Sequence, residues 1–281
     1  AHDAVCLACS LNRTVSDPEL PENLVAWRAL EISKRHLVAQ LMVMGLPVEP
    51  RQPEHPKRLG LAFDSLRPTP DKPVLTGHHH GLITLNMDEA DDARREQVRT
   101  QMGESYRTLL GHFRHEVGHY YWDRLVVDTP WLTDYRALFG DERADYAAAL
   151  KHHYEEGPPA DWAQRYVSTY ASTHPWEDWA ETWAHYLHMV DTLGTAMRFG
   201  LDANDVELPH APFTREALWR PDDPSADSFL KIANAWIELT GVLNEMSRSM
   251  GEHDFYPFVL TTPVVAKLQF IHCVVLQARQ T

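Results

Sequence analysis

The 281-residue sequence has only three cysteines, Cys6, Cys9 and Cys273. Three thiols cannot staple a chain of this length, so the fold has to rest on a buried apolar core. No apolar run approaches the roughly 18 residues needed to cross a bilayer, and no charged-then-apolar leader opens the sequence. The expectation is therefore no membrane partner and a cytoplasmic location, although Ala1 leaves room for a longer precursor. Basic side chains are outnumbered: 26 Lys and Arg stand against 40 Asp and Glu, a formal charge of −14. A surface of that sign repels nucleic acid and anionic lipid, which removes both as general partners. Internal repeats and low-complexity tracts are missing as well. What the chain does have is 44% hydrophobic residues, enough for a sizeable core, and 17 histidines whose placement carries the chemistry.

Apolar residues at Leu24, Trp27, Leu30, Leu37, Leu41 and Met44 fall at helical spacing, which predicts a helix from Asn23 to about Gly45. The proline-rich stretch 47–73 reads as loop with a short strand near Leu59–Phe63. Val74–Thr76 and Gly81–Asn86 read as two strands around a turn at Gly77–Gly81. Helices follow at about 88–104, 104–127, 141–156, 161–172, 175–194, 227–249 and 262–278. The predicted fold class is α+β and predominantly helical, with one small sheet placed before the helix at 104–127. Three parts are expected: residues 1–20 with a Cys-x-x-Cys, a main domain at 21–220, and a helical C-terminal lobe at 221–281.

The helix at 104–127 contains His115-Glu116-Val117-Gly118-His119, an H-E-x-x-H sequence. Positions i and i+4 share a helix face, so both imidazoles can reach one zinc ion. Glu116 is turned about 100° from His115, where it can take a proton from a water the ion activates. Apolar neighbours such as Phe113 and Val117 make this an internal helix, where polar groups without partners are costly.

A catalytic zinc needs a third protein ligand and an open position. The metzincin positions, 122 and 125, hold Trp122 and Leu125, which excludes that class. The candidate lies in the run from His174 to His188, where Pro175 suits a first helical position. Glu177, Glu181, His185 and His188 share one face there, with Trp176, Trp179, Trp183 and Leu187 on the adjoining side. Glu177 is the candidate ligand and Glu181 the carboxylate that orients a ligand histidine. Glu181 as the ligand is the main alternative, and Asp178 the weaker one. By its resemblance to gluzincins of the lethal factor type, where a tyrosine at that offset serves, Tyr170, seven residues before Glu177, is the candidate oxyanion donor, with Tyr166, Tyr186 and His188 as rivals. The strand Gly81–Asn86 could pair, as an edge, with an extended substrate. The run His78-His79-His80 reads as a solvated turn with some capacity for metal.

The sequence resembles a family of bacterial zinc-binding metallopeptidases, often with an N-terminal zinc-ribbon segment. The resemblance rests on Cys6-x-x-Cys9 with Leu11-Asn-Arg-Thr14, Thr76-Gly-His78, Gly81–Asn86 and Glu89-Ala-Asp-Asp92. It continues through Tyr106–Trp122, Phe139–Arg143, His174–Thr182, Arg248–Gly251 and Tyr256–Leu260. It implies a zincin-like fold and peptide-bond hydrolysis with one catalytic Zn2+, and the pairing of Glu177 with Glu181 is similar to that of gluzincins. The Tyr170 offset resembles gluzincins of the lethal factor type. Cys6 and Cys9 would be half of a structural metal site, with His2 as a further candidate ligand. Two other readings share these residues: a zincin-fold binding module with structural zinc, and a SprT-like DNA-associated protease, which the charge of −14 opposes.

Overall fold

The computed structural model of the protein describes residues 5–52, 60–102, 106–201 and 211–279. It is α+β and mostly helical, in line with the sequence. The chain divides into two compact units, one formed by Ala1–Val127 with Ala278–Thr281 and the other by Asp128–Gln277. The division falls inside the 21–220 stretch read above as one domain.

The first unit opens with α1 (Leu7–Ser10), β1 (Asn12–Val15) and α2 (Pro21–Val43). Pro21 occupies the first turn of α2, where its missing N–H costs nothing. Leu30, Leu37, Val38 and Leu41 on α2 are all at most 3% exposed. Burying side chains of this size contributes about 1.5–3 kcal/mol each. Lys34 sits among them at 1% exposure, its ammonium held by Glu31 and Asn12. Burial pulls its pKa below the usual lysine range against the opposing pull of Glu31.

Three further strands complete one sheet: β2 (Ala62–Leu66), β3 (Gly77–His79) and β4 (Leu82–Asn86), in the order β1-β2-β4-β3. The β1–β2 and β2–β4 pairs are parallel, and β3–β4 is antiparallel. Along β4 burial alternates, with Ile83 and Leu85 facing inward, as a half-buried strand requires. The Arg13 guanidinium grips the buried Asp64 carboxylate of β2 and neutralises it.

The hairpin differs from the sequence expectation. Val74–Thr76 is not a strand; β3 starts at Gly77 and the turn is the two residues His80 and Gly81. Both have positive φ, 47° and 79°, the left-handed pair that matches strand twist in a two-residue hairpin. β4 is also interior to the sheet, flanked by β2 and β3, so it offers no free edge to an extended substrate. A 3-10 turn at Met87–Ala90 leads into α3 (Asp92–Met102), and α4 (Leu109–Leu125) follows. The Thr108 hydroxyl accepts from the Gly111 N–H at 3.0 Å, which caps α4 there rather than near 104.

The second unit contains α5 (Trp131–Phe139), α6 (Tyr146–Glu156), α7 (Trp162–Arg165), α8 (Pro175–Arg198), α9 (Ala226–Ser249) and α10 (Thr262–Ala278). α5 was not expected. The helix expected at 161–172 is two pieces, α7 and a 3-10 turn at Tyr170–Ser172, separated by Tyr166 in extended geometry. The core joins Tyr135 and Phe139 of α5, Trp179 of α8 and Phe270 of α10, with ring centroids 5.0–6.1 Å apart. α8 is buried on nearly every side between Glu177 and Leu187, not striped as an exposed amphipathic helix would be. Cys273 is buried on α10, near the Ser225 hydroxyl, and burial raises its thiol to about 11.

Candidate metal centre

In the first unit, α4 turns Phe113, Val117 and Tyr121, each 0% exposed, toward the core. Arg114, 2% exposed, donates to Gln40 Oε1 of α2 from Nε at 3.1 Å and Nη2 at 2.8 Å. The Tyr121 hydroxyl donates to the Pro47 carbonyl at 3.0 Å. These anchors fix the rotation of the helix, and therefore which side chains its other face carries.

That face holds His115 and His119, both half-buried, with Glu116 at 9% exposure. The two Nε2 atoms are 3.2 Å apart, with the rings 5.0 Å between centroids and 80° between planes. Two nitrogens bound to one tetrahedral zinc at 2.0–2.1 Å stand about 3.3 Å apart, so this pair is spaced as ligands of a single ion. The donor chemistry fits as well, because imidazole nitrogens are among zinc's preferred ligands. His78 of β3 lies nearly parallel to His119 at 6.2 Å and stacks edge-on with Tyr120 at 6.5 Å. Its Nε2 accepts from the Gly81 N–H at 2.8 Å. Burial, reinforced by His119, His80 and His79, takes its pKa down to about 3. His78 is thus a packed neutral ring, not the solvated turn residue suggested by sequence.

In the second unit, α8 begins at Pro175 with His174 as its cap. The cap ring accepts from the Trp176 N–H through Nδ1 at 3.2 Å and donates from Nε2 to the Ala144 carbonyl at 3.1 Å. Glu177 and Asp178 fall in the first turn, where the helix dipole favours negative charge. Glu177 is 2% exposed, and the Tyr146 hydroxyl donates to its Oε1 at 2.7 Å. Asp178 is committed elsewhere: Lys267 donates to it at 2.6 Å, and burial lifts its pKa to about 7 against that cation.

One turn on, Glu181 Oε2 accepts from the Ser168 hydroxyl at 2.6 Å. The same oxygen of Ser168 accepts from the Ala171 N–H at 3.1 Å, which ties Glu181 to the turn carrying Tyr170. Burial raises the Tyr170 phenol above its usual range, with Glu177 and Tyr146 adding to the effect. Two other polar residues of α8 are engaged. His185 Nδ1 meets the Tyr256 hydroxyl at 2.6 Å, and the Tyr186 hydroxyl meets His272 Nδ1 at 2.9 Å. Tyr146 and Ser168 were missed by the sequence reading; no local spacing marks them.

Cys6 stands at the N-cap position of α1 and Cys9 lies within the helix, with Cys6 exposed and Arg35 donating to the Cys9 sulfur at 3.4 Å. Hydrogen bonding from the Cys9 backbone and side chain lowers the Cys6 thiol pKa. Among the described residues neither cysteine joins a group of three potential metal ligands. The further ligand considered for them, His2, lies outside the described residues.

Residues 23–274 match the family described as "putative zinc-binding metallo-peptidase". The chain belongs to this zinc-binding metallopeptidase family. Two relatives, uncharacterized proteins of Mycobacterium bovis and Mycobacterium tuberculosis, are each 45% identical over 274 residues. The aligned region is 96% of this chain and 76% of each relative. No solved structure matches the chain. Membership in the metallopeptidase family makes this a zinc-binding hydrolase in general class, acting on peptides or proteins. No helix of the described residues is long and apolar enough to cross a membrane.

Proposed function

We propose that the protein is a gluzincin-like peptidase in which one ligand atom from each of His115, His119 and Glu177 holds a single zinc ion. The observation that carries this reading is the 3.2 Å pairing of the His115 and His119 Nε2 atoms on one helix face. The buried Glu177 carboxylate, oriented by the Tyr146 hydroxyl, supports the third assignment. Zinc supplies a Lewis acid that makes water nucleophilic near neutral pH and polarises a carbonyl.

The chain's own residues do the rest. Glu116, beside both histidines on α4, removes a proton from the attacking water and returns it to the departing amine. Glu181, held by Ser168, orients a ligand imidazole through its second nitrogen. The Tyr170 hydroxyl, kept protonated by burial, donates to the carbonyl oxygen as charge develops on it. Cys6 and Cys9 would serve at most a separate structural metal, with ligands from outside the described residues.

Zinc content and peptide cleavage, measured together, test the assignment. Glu116→Gln should keep zinc and lose turnover by about 10²–10⁴-fold. Glu177→Ala should lose zinc, and undiminished metal in that variant would sink the ligand set. Zinc-loaded wild type that cleaves nothing in a peptide library would leave a binding module instead. Binding to single-stranded DNA at low salt would point to the DNA-associated protease.

A further inference from the structure

The segment Phe139-Gly-Asp-Glu-Arg143 takes no part in the scheme above, yet the second unit fastens it to the first turn of α8, which carries Glu177. Arg136 of α5 grips both oxygens of the buried Glu142 carboxylate, through Nε at 2.9 Å and through Nη2. Those hydrogen bonds hold Glu142 below the usual carboxylate range against the opposing effect of burial. Gly140 has φ 106°, and a Cβ there would lie 3.3 Å from Pro175 Cγ. The loop between α5 and α6 therefore lies against the start of α8.

His174, 2% exposed, joins that loop to the helix. Its Nδ1 bond to the Trp176 N–H is local and closes the first turn of its own helix. Its Nε2 bond to the Ala144 carbonyl spans 30 positions and fixes the end of the loop where α6 starts. Tyr146 opens α6, and its ring meets that of His174 edge-on, with centroids 5.2 Å apart and planes at 77°. From there the Tyr146 hydroxyl donates to Glu177 Oε1, and Tyr146 is hydrogen-bonded to Tyr170 as well. One long-range bond thus fixes the residue that reaches both the proposed third ligand and the proposed oxyanion donor.

We propose that His174 is a positioning residue for the metal centre. Its bond to the Ala144 carbonyl sets where Tyr146 stands, and Tyr146 in turn orients the Glu177 carboxylate for the ion. His174 itself touches neither ion nor substrate. The proposal rests on the assignment of Glu177 as a zinc ligand. Losing the partner that orients a ligand costs about 10–100-fold in metal affinity, and the anchor of that partner carries part of the effect.

Two substitutions separate the bonds of His174. Asn carries an oxygen where Nδ1 stands and caps helices well, but it is too short to reach the Ala144 carbonyl. Gln carries its amide nitrogen out to the place of Nε2 and can donate to that carbonyl, but it caps poorly. In chelator competition His174→Asn should bind zinc about 10-fold more weakly, whereas His174→Gln should stay within about threefold of wild type. With Co2+ in place of zinc, the visible d–d bands report coordination geometry. They should change in His174→Asn and match wild type in His174→Gln. Both readings are taken where circular dichroism shows the metal-free proteins folded. A residue that only starts its helix predicts the reverse order, with Asn harmless and Gln damaging. That order, equal losses in the two variants, or no loss in either would overturn the proposal. Should His174→Asn not fold, Glu142→Gln decides, because it loosens the same loop from the α5 side. Weaker zinc and altered cobalt bands there support the proposal, and wild-type values overturn it. Undiminished zinc in Glu177→Ala would instead remove the ligand assignment beneath it, so the two failures are told apart.

Discussion

The Tyr146 hydroxyl donates to Glu177 Oε1 at 2.7 Å, and the two residues come from the first turns of α6 and α8. If Glu177 holds zinc as proposed, a carboxylate held in this way is pre-oriented, so less order is lost when the ion binds. Tyr146→Phe should weaken zinc affinity by about 10- to 100-fold while leaving the fold intact. Competition with a chromophoric chelator measures it. An unchanged affinity would mean that Glu177 needs no help from Tyr146, or is not the ligand.

Lys267 and Asp178 form a buried pair at 2.6 Å, with side-chain exposures of 6% and 1%. Lys267 also donates to the Arg165 carbonyl at 2.9 Å, so the ammonium links α10, α8 and the end of α7. Lys267→Met should cost about 3–5 kcal/mol, because it leaves Asp178 buried without its counter-charge. Adding Asp178→Asn should recover much of that loss. Urea unfolding of the single and double variants checks both numbers, and a single-variant loss below about 1 kcal/mol would contradict the buried-pair account.

Gly81 sits at φ 79° in the hairpin and its N–H donates to His78 Nε2. Gly81→Ala keeps that donor but forces a Cβ into left-handed geometry, which should cost about 1–2 kcal/mol. The loss should appear in thermal unfolding with no change in the secondary structure of α4.

The H-E-x-x-H pair was legible because its geometry is local: four residues on a helix fix where two rings point. The long helices were legible for the same reason; α9 runs Ala226–Ser249 against an expected 227–249. The partners of the acidic pair were not, because Tyr146 reaches Glu177 across 31 positions and Ser168 reaches Glu181 across 13. No periodicity encodes such contacts. The hairpin was misplaced because Val74–Thr76 has strand-like composition, yet Thr76 spends its hydroxyl on Glu89 and on the Asn86 N–H. The segment 161–172 breaks at Tyr166, and beyond it the Ser168 hydroxyl captures the Ala171 N–H, a local side-chain bond that competes with a continuing helix.

His185 supplies a pH dependence with a definite sign. It is 6% exposed, bonded to Tyr256 at 2.6 Å and packed against Phe258, with ring centroids 4.4 Å apart. Burial takes its pKa from 6.5 down to about 4, while Glu181 pulls the other way. Between those values the unfolded chain binds a proton that the folded chain refuses, so stability falls as pH drops through this window. At about 1.4 kcal/mol per unit, the loss from this one group approaches about 3 kcal/mol by pH 4. His185→Gln keeps a polar partner for Tyr256 and removes the titration. Its unfolding free energy, measured on metal-free protein so that ligand protonation does not contribute through zinc release, should decline less than wild type between pH 6.5 and 4. Parallel curves for the two proteins would show that His185 is protonated in the folded state, against its burial.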